Sequence, residues 1–211
     1  MNVLVAGSHG QVGQHATRIL AESDHDVRGM IRAESQAQDI EDLGAEPVVA
    51  DLTADVSHAV EGIDAVIFAA GSGGEDVWGV DRDGAINLID EAVAEGIDRF
   101  VMLSSINADR PENSPEALRE YLRAKAEADE YLRESDLTDT IIRPGPLTNE
   151  GGTERIRTGT DLDRGDVEIP REDVARTLVA TLGIESTHGE TFELAAGEEP
   201  IEEALQEPIA S

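Results

Sequence analysis

Cysteine is absent, lysine occurs once, and only six of the 211 residues are aromatic. Without thiols the chain makes no disulfide, no thiolate metal site and no cysteine nucleophile. With one Trp, two Tyr and three Phe, core packing must rest on Val, Ile, Leu and Ala; the hydrophobic share of 39% is enough for a real core. Positive charge is the scarcest resource. Sixteen basic residues stand against 46 acids, for a net charge of −30. Such a surface is a poor match for nucleic acid, which needs Lys and Arg clusters, and for anionic membranes. No apolar run approaches the ~20 residues of a membrane span. The start, MNVLVAG, lacks the basic region of a signal peptide, so a cytoplasmic location is expected.

Acidic charge this dense usually marks disorder or a tail. Here the acids are interleaved with regular apolar periodicity, which argues for a folded domain. Abundant Asp and Glu, almost no Lys and small core residues make a profile similar to that of proteins from extreme halophiles.

Short apolar runs alternate with amphipathic stretches. Strands are expected at 2–6, 26–31, 46–50, 63–69, 98–103, 138–142 and 190–195. Helices are expected at 11–22, 34–43, 53–60, 79–95, 115–134, 171–182 and 201–206. Regular β–α alternation implies a doubly wound parallel sheet with helices on both faces, a three-layer α/β/α arrangement. The length fits one domain over 1–211. The stretch from about 145 onward is irregular and charged, and is expected to wall the substrate side.

The first strand runs into Gly7-Ser8-His9-Gly10-Gln11-Val12-Gly13 and then a helix. Glycines at this G-x-x-G-x-x-G spacing serve a tight turn, close approach to a pyrophosphate and close helix–strand packing. The N–H groups of the following helix start face the phosphates. A dinucleotide fold that prefers NAD usually has an acid about 20 residues further on. Here Arg32 stands at the end of the second strand, which suits a 2′-phosphate and favours NADP over NAD. Arg28 is a second basic candidate, but on the other face of its strand. Asp51-Leu52 follows the third strand, where the carboxylate either meets the adenine amino group or caps the next helix. The small residues Ala70 and Gly71, after the fourth strand, let the backbone pass close to a cofactor.

Lys125, the single lysine, stands four residues after Tyr121 in a helical run. The two side chains share one face, about 40° apart around the axis. An ammonium beside a phenol favours its deprotonated form, and such a pair exchanges a proton with a carbonyl or alcohol.

Together, Gly7-x-x-Gly10-x-x-Gly13, Ser104-Ser105, Tyr121-x-x-x-Lys125 and Arg143-Pro144-Gly145 resemble the short-chain dehydrogenase/reductase superfamily. The glycine spacing is that of its extended and atypical branches. The layout is similar to an atypical NAD(P)-binding subgroup described as NAD-dependent epimerase/dehydratase, over nearly the whole chain. The resemblance implies a Rossmann fold and bound NAD(P). It casts Ser105, or alternatively Ser104, as the residue orienting the substrate oxygen. Tyr121 becomes the general acid/base, and Lys125 the residue that holds the nicotinamide ribose and lowers the Tyr121 pKa. Pro144-Gly145 would border the nicotinamide. Asp81 falls where the superfamily often has Asn; the atypical subgroup it resembles commonly has Asp there.

Five histidines are scattered without metal-ligand spacing, so no metal is expected. His9 either touches phosphate or faces solvent. Trp78, after Gly71-Ser72-Gly73-Gly74, either closes over the nicotinamide or anchors in the core. The expected activity is NADP(H)-dependent hydride transfer to or from a small carbonyl or alcohol, by a monomer or homodimer. The rivals are a cofactor-binding sensor without turnover and a sugar-nucleotide epimerase or dehydratase; for the latter the chain looks short.

In concentrated salt the Debye length is about 3 Å or less, which suppresses self-repulsion among these charges. Dialysis from molar KCl into dilute buffer should therefore cost the protein its helicity; full circular dichroism retained in dilute buffer would overturn that expectation.

Overall fold

The structure, a computed structural model, describes residues 1–162, 165 and 167–209. Asp163, Arg164 and Asp166, which belong to the expected substrate wall, and the last two residues lie outside the described residues.

The first half alternates as expected: β1 (Asn2–Ala6), α1 (Gln11–Ala21), β2 (Asp26–Ile31), α2 (Ala37–Asp42), β3 (Glu46–Val49), α3 (Ser57–Val60) and β4 (Ala65–Phe68). There follow α4 (Gly84–Glu95), β5 (Arg99–Leu103), α5 (Glu116–Arg133) and β6 (Thr138–Pro144). The last third comprises β7 (Leu147–Thr148), β8 (Arg155–Gly159), β9 (Ile169–Pro170), α6 (Arg171–Ala180), β10 (Glu190–Ala196), β11 (Glu199–Pro200) and α7 (Ile201–Gln206).

Nine strands make one sheet in the order β11-β8-β10-β6-β5-β4-β1-β2-β3. The run from β3 to β10 is parallel. Strands β8 and β11 add to its far edge by antiparallel pairing. This extension was not expected, because the Arg155–Gly159 stretch offers one apolar residue, Ile156, among charged and polar ones. Pairs β7 and β9 form a separate two-stranded ribbon.

Both faces of the sheet are covered, and the two-residue period of β1 shows how. Val3 and Val5 pack with Val12, Ala16 and Leu20 of α1 and with Val174 and Leu178 of α6. Leu4 and Ala6 point to the other side, toward Leu88 and Ile89 of α4 and Ala128 and Leu132 of α5. The aromatic share is small, yet Phe68 and Phe100 stack in this second layer, with ring centroids 6.5 Å apart.

Two helices differ from the sequence expectation for local reasons. The helix expected over 53–60 shrinks to α3. Asp51 and Asp55 each accept a bond from the backbone N–H two residues on, at Thr53 and Ser57, and these turns compete with helix. Asp51 thus closes a turn and does not cap a helix. Ahead of α4, Val77–Asp83 wind as a π-helix, with Asp76 capping the Gly79 N–H at 2.9 Å. Such wide turns recur at functional sites, and this one carries Asp81.

The strand order reverses between β1 and β4, so their carboxyl ends open the crevice where ligands bind in folds of this type. No helix among the described residues is long and apolar enough to cross a membrane.

Candidate functional site

The glycine loop leaves β1 with Gly7 at φ +83°, and a side chain there would come within 2.6 Å of the Ala70 backbone beyond β4. A methyl on Gly13 would overlap the Gly7 carbonyl. The two glycines therefore pinch strand, loop and α1 together. Gly10 at the start of α1 supplies no side-chain cap, so the first-turn N–H groups remain for a ligand. Ser8, expected at the cofactor, instead turns its fully buried hydroxyl onto the Met30 carbonyl at 2.9 Å and ties the loop to β2.

One side of the crevice is a cleft of about 180 Å³, lined by Gly7, His9, Gly10, Arg32, Asp51, Leu52, Ala70 and Gly71. Arg32 is exposed there. Gln36 organises this rim: its carbonyl oxygen accepts the Arg32 and Ala33 N–H groups, and its amide nitrogen lies 2.9 Å from His9 Nδ1. His9 Nε2 in turn meets Asp39 at 3.0 Å. The Asp51 carboxyl is held below its usual value, chiefly by the Thr53 backbone N–H, with a smaller contribution from Arg32. Arg28 spends its guanidinium on the carbonyls of Ala59 and Glu61, away from this cleft.

Through Ala70 and Gly71 the crevice continues into a cleft of about 1000 Å³. It is bordered by Gln11, Val12, Asp81, Ser104, Ser105, Tyr121, Lys125, Pro144 and Gly145. Residues far apart in sequence are thus brought to one cavity.

Tyr121, Lys125 and Asp129 succeed one another at four-residue steps along α5, and Lys125 and Asp129 are buried. Asp129 escaped the sequence analysis, although an acid at the next position on the Tyr-Lys face was the available signal. Its carboxylate accepts the Ser104 hydroxyl at 2.8 Å and the Arg143 guanidinium at 3.0 and 3.1 Å. Burial raises the Asp129 pKa, against the pull of Arg143 and Lys125. Ser104 is thereby committed to Asp129, which leaves Ser105 as the serine beside the phenol. Asp81 is 2% exposed and takes the Ser72 N–H at 3.1 Å and its hydroxyl at 2.6 Å.

Lys125 shows what this arrangement does. Burial lowers its pKa, and Asp81 and Asp129 oppose that shift and favour the ammonium. Its Nζ lies 5.5 Å from the Phe68 ring centroid, in cation–π range. The expectation that Lys125 lowers the Tyr121 pKa is corrected here. Burial, and after it the Asp81 charge, pushes the phenol up to about 12, while the hydrogen bond with Ser105 works the other way.

Arg143 also reaches Asp109 at 3.4 Å. Asp109 meets Arg110, which extends to Asp161 at 3.0 Å and to the buried Glu193. Glu193 accepts the Leu162 N–H at 2.7 Å. Trp78 does not anchor in the core: its indole N–H bonds Glu120 at 2.8 Å and its ring lies under Arg82.

Parallel strands, a glycine pinch at the switch point and a phenol–amine pair along the crevice define a dinucleotide-binding Rossmann protein. The model of the family described as NAD(P)H-binding matches residues 7–184, and the chain belongs to that family. It is 43% identical to YhfK of Bacillus subtilis, named an uncharacterized sugar epimerase, over 98% of this chain and 99% of that one. A solved structure of an NAD-dependent epimerase/dehydratase from Bacillus halodurans superposes with a TM-score of 0.94 at 39% identity, covering 98% and 99% of the two chains. Sanguinarine reductase of Eschscholzia californica is 29% identical over 98% of this chain and 93% of its own.

Removing one partner of a buried ion pair leaves the other charge uncompensated, at a cost of about 3–5 kcal/mol. Asp129→Ala should destabilise the protein by that order, read from denaturant unfolding in molar salt; a midpoint unchanged from the parent would exclude the bracing role.

Proposed function

We propose that the protein is an NADP(H)-dependent oxidoreductase that interconverts a carbonyl and an alcohol. The observation carrying this reading is that one cavity joins Ser105, Tyr121 and Lys125 to the glycine loop, Ala70-Gly71 and Pro144. The glycine pinch, with side-chain-free approach to the start of α1, fits a dinucleotide diphosphate. Exposed Arg32 at the rim of the smaller cleft favours a ribose 2′-phosphate, and Asp51 and Leu52 border the adenosine end.

Bound nicotinamide supplies the two electrons and the hydrogen that reduce the carbonyl carbon. Ser105 holds the carbonyl oxygen. Tyr121 passes its phenolic proton to that oxygen, so carbonyl, NADPH and one proton become alcohol and NADP⁺. A phenol pushed up to about 12 stays protonated at neutral pH, the form that gives a proton to a carbonyl oxygen. Lys125, whose ammonium form Asp81 and Asp129 favour against burial, would hold the nicotinamide ribose hydroxyls. Asp81 fixes the loop at Ser72 and adds negative charge that opposes phenolate formation.

The reductase reading draws support from the name of sanguinarine reductase. The names of the Bacillus relatives support a rival, sugar epimerisation, in which the same phenol would act on a sugar-nucleotide alcohol. Cytoplasmic location and salt dependence belong to this proposal as well.

Tyr121→Phe should cut turnover of NADPH with a carbonyl panel by roughly 10²–10⁴-fold while leaving NADPH affinity in place; unchanged turnover would remove the phenol from the mechanism. Arg32→Ala should weaken NADPH relative to NADH by about tenfold or more, since a charge-assisted phosphate contact is lost. Fluorescence titration of both cofactors checks this, and an unaltered ratio would reverse the cofactor assignment.

A further inference from the structure

Beyond the reacting groups, the large cleft is walled by apolar side chains. Val77, Ile106, Leu118, Pro146, Leu147 and Val167 line it. Leu118, in the first turn of α5, is 49% exposed at this cleft. In a chain with 46 acids, such a stretch of exposed apolar surface inside a cleft is costly unless a ligand covers it.

Arg171 is the exception on this wall. It is the first residue of α6 and lines the same cleft as Tyr121. One guanidinium nitrogen, Nη1, is fixed by the Leu147 carbonyl at 3.1 Å and the Asn149 side-chain oxygen at 2.8 Å. The two acids that follow it are occupied elsewhere. Glu172 accepts the Gly152 N–H and pairs with Arg176. Asp173 accepts the N–H groups of Thr153 and Glu154. No carboxylate forms an ion pair with Arg171 among the described residues. A positioned, unpaired guanidinium beside an apolar wall is matched by a carboxylate, which it can bind through two parallel hydrogen bonds.

We infer that the substrate is a bulky, mainly apolar carbonyl compound bearing a carboxylate, and that Arg171 anchors this carboxylate while Leu118 and the apolar wall cover the body. This rests on the reading of the large cleft as the substrate side of an oxidoreductase site, and it deepens that reading. It also separates the substrate from sugar nucleotides, whose hydroxyl-rich bodies gain nothing from an apolar wall.

The probe pair is 4-benzoylbenzoate, an aryl ketone with a carboxylate, and its methyl ester, titrated calorimetrically in molar KCl with and without NADPH. The parent protein should bind the acid about tenfold or more tightly than the ester. Arg171→Met should bring the acid down to the ester's affinity and leave ester and NADPH binding unchanged. Arg171→Lys, which keeps the charge but loses the fork, should recover part of the difference. Equal binding of acid and ester by the parent, binding of neither, or an acid preference that survives Arg171→Met overturns the inference. NADPH absorbance in the same samples tests the redox reading separately. An Arg171-dependent acid preference without NADPH consumption would sink the oxidoreductase assignment and leave the carboxylate anchor standing.

Discussion

A buried ammonium governs this site. Lys125 sits almost without solvent in the layer between sheet and α5, where burial lowers its pKa and works against its charge. Asp81 arrives from the π-helical turn and Asp129 from the next turn of α5, and together they favour the charge. Asp129 is itself too buried to stand alone, so Arg143 and Ser104 hold it. Four elements, the 77–83 turn, β5's end, α5 and β6, are therefore locked into mutual position by one electrostatic requirement.

The same requirement explains why the phenol is not activated in the simple way the Tyr-Lys spacing suggests. The negative charges that favour the ammonium also act on Tyr121, and burial acts in the same direction. Burial and the acids around α5 thus hold the phenol in its protonated form, the form that the proposed carbonyl reduction requires.

Much of this was legible in the chain. The Gly7-Gly10-Gly13 spacing after the apolar run Val3–Ala6 located the crevice, because a side chain at Gly7 or Gly13 would collide with backbone. Strand and helix alternation up to Ile142 was readable chiefly because the central strands, β1 and β4 with most of β5, are buried on both faces and so carry apolar runs. What escaped has a physical cause in each case. The strand order is a long-range property that no local pattern encodes. Strands β8 and β11 lie at the sheet edge with little apolar content. The shrinkage of α3 came from Asp51 and Asp55 choosing turns over helix. Asp129 looked like one acid among 46, and only the face it shares with Lys125 distinguished it. Ser8 and Ser104 were read from their motif positions, yet their hydroxyls serve the Met30 carbonyl and the Asp129 carboxylate.

The charges from Lys125 through Asp129, Arg143, Asp109 and Arg110 to Glu193 alternate in sign and run from the large cleft to the backbone at Leu162. At its inner end, around Lys125 and Asp129, this chain is closed to mobile ions. The molecule consequently lives in two electrostatic regimes at once. Its outer acids answer to the electrolyte around them, whereas the buried end of the ionic chain, Lys125, Asp129 and Arg143, is far less exposed to screening.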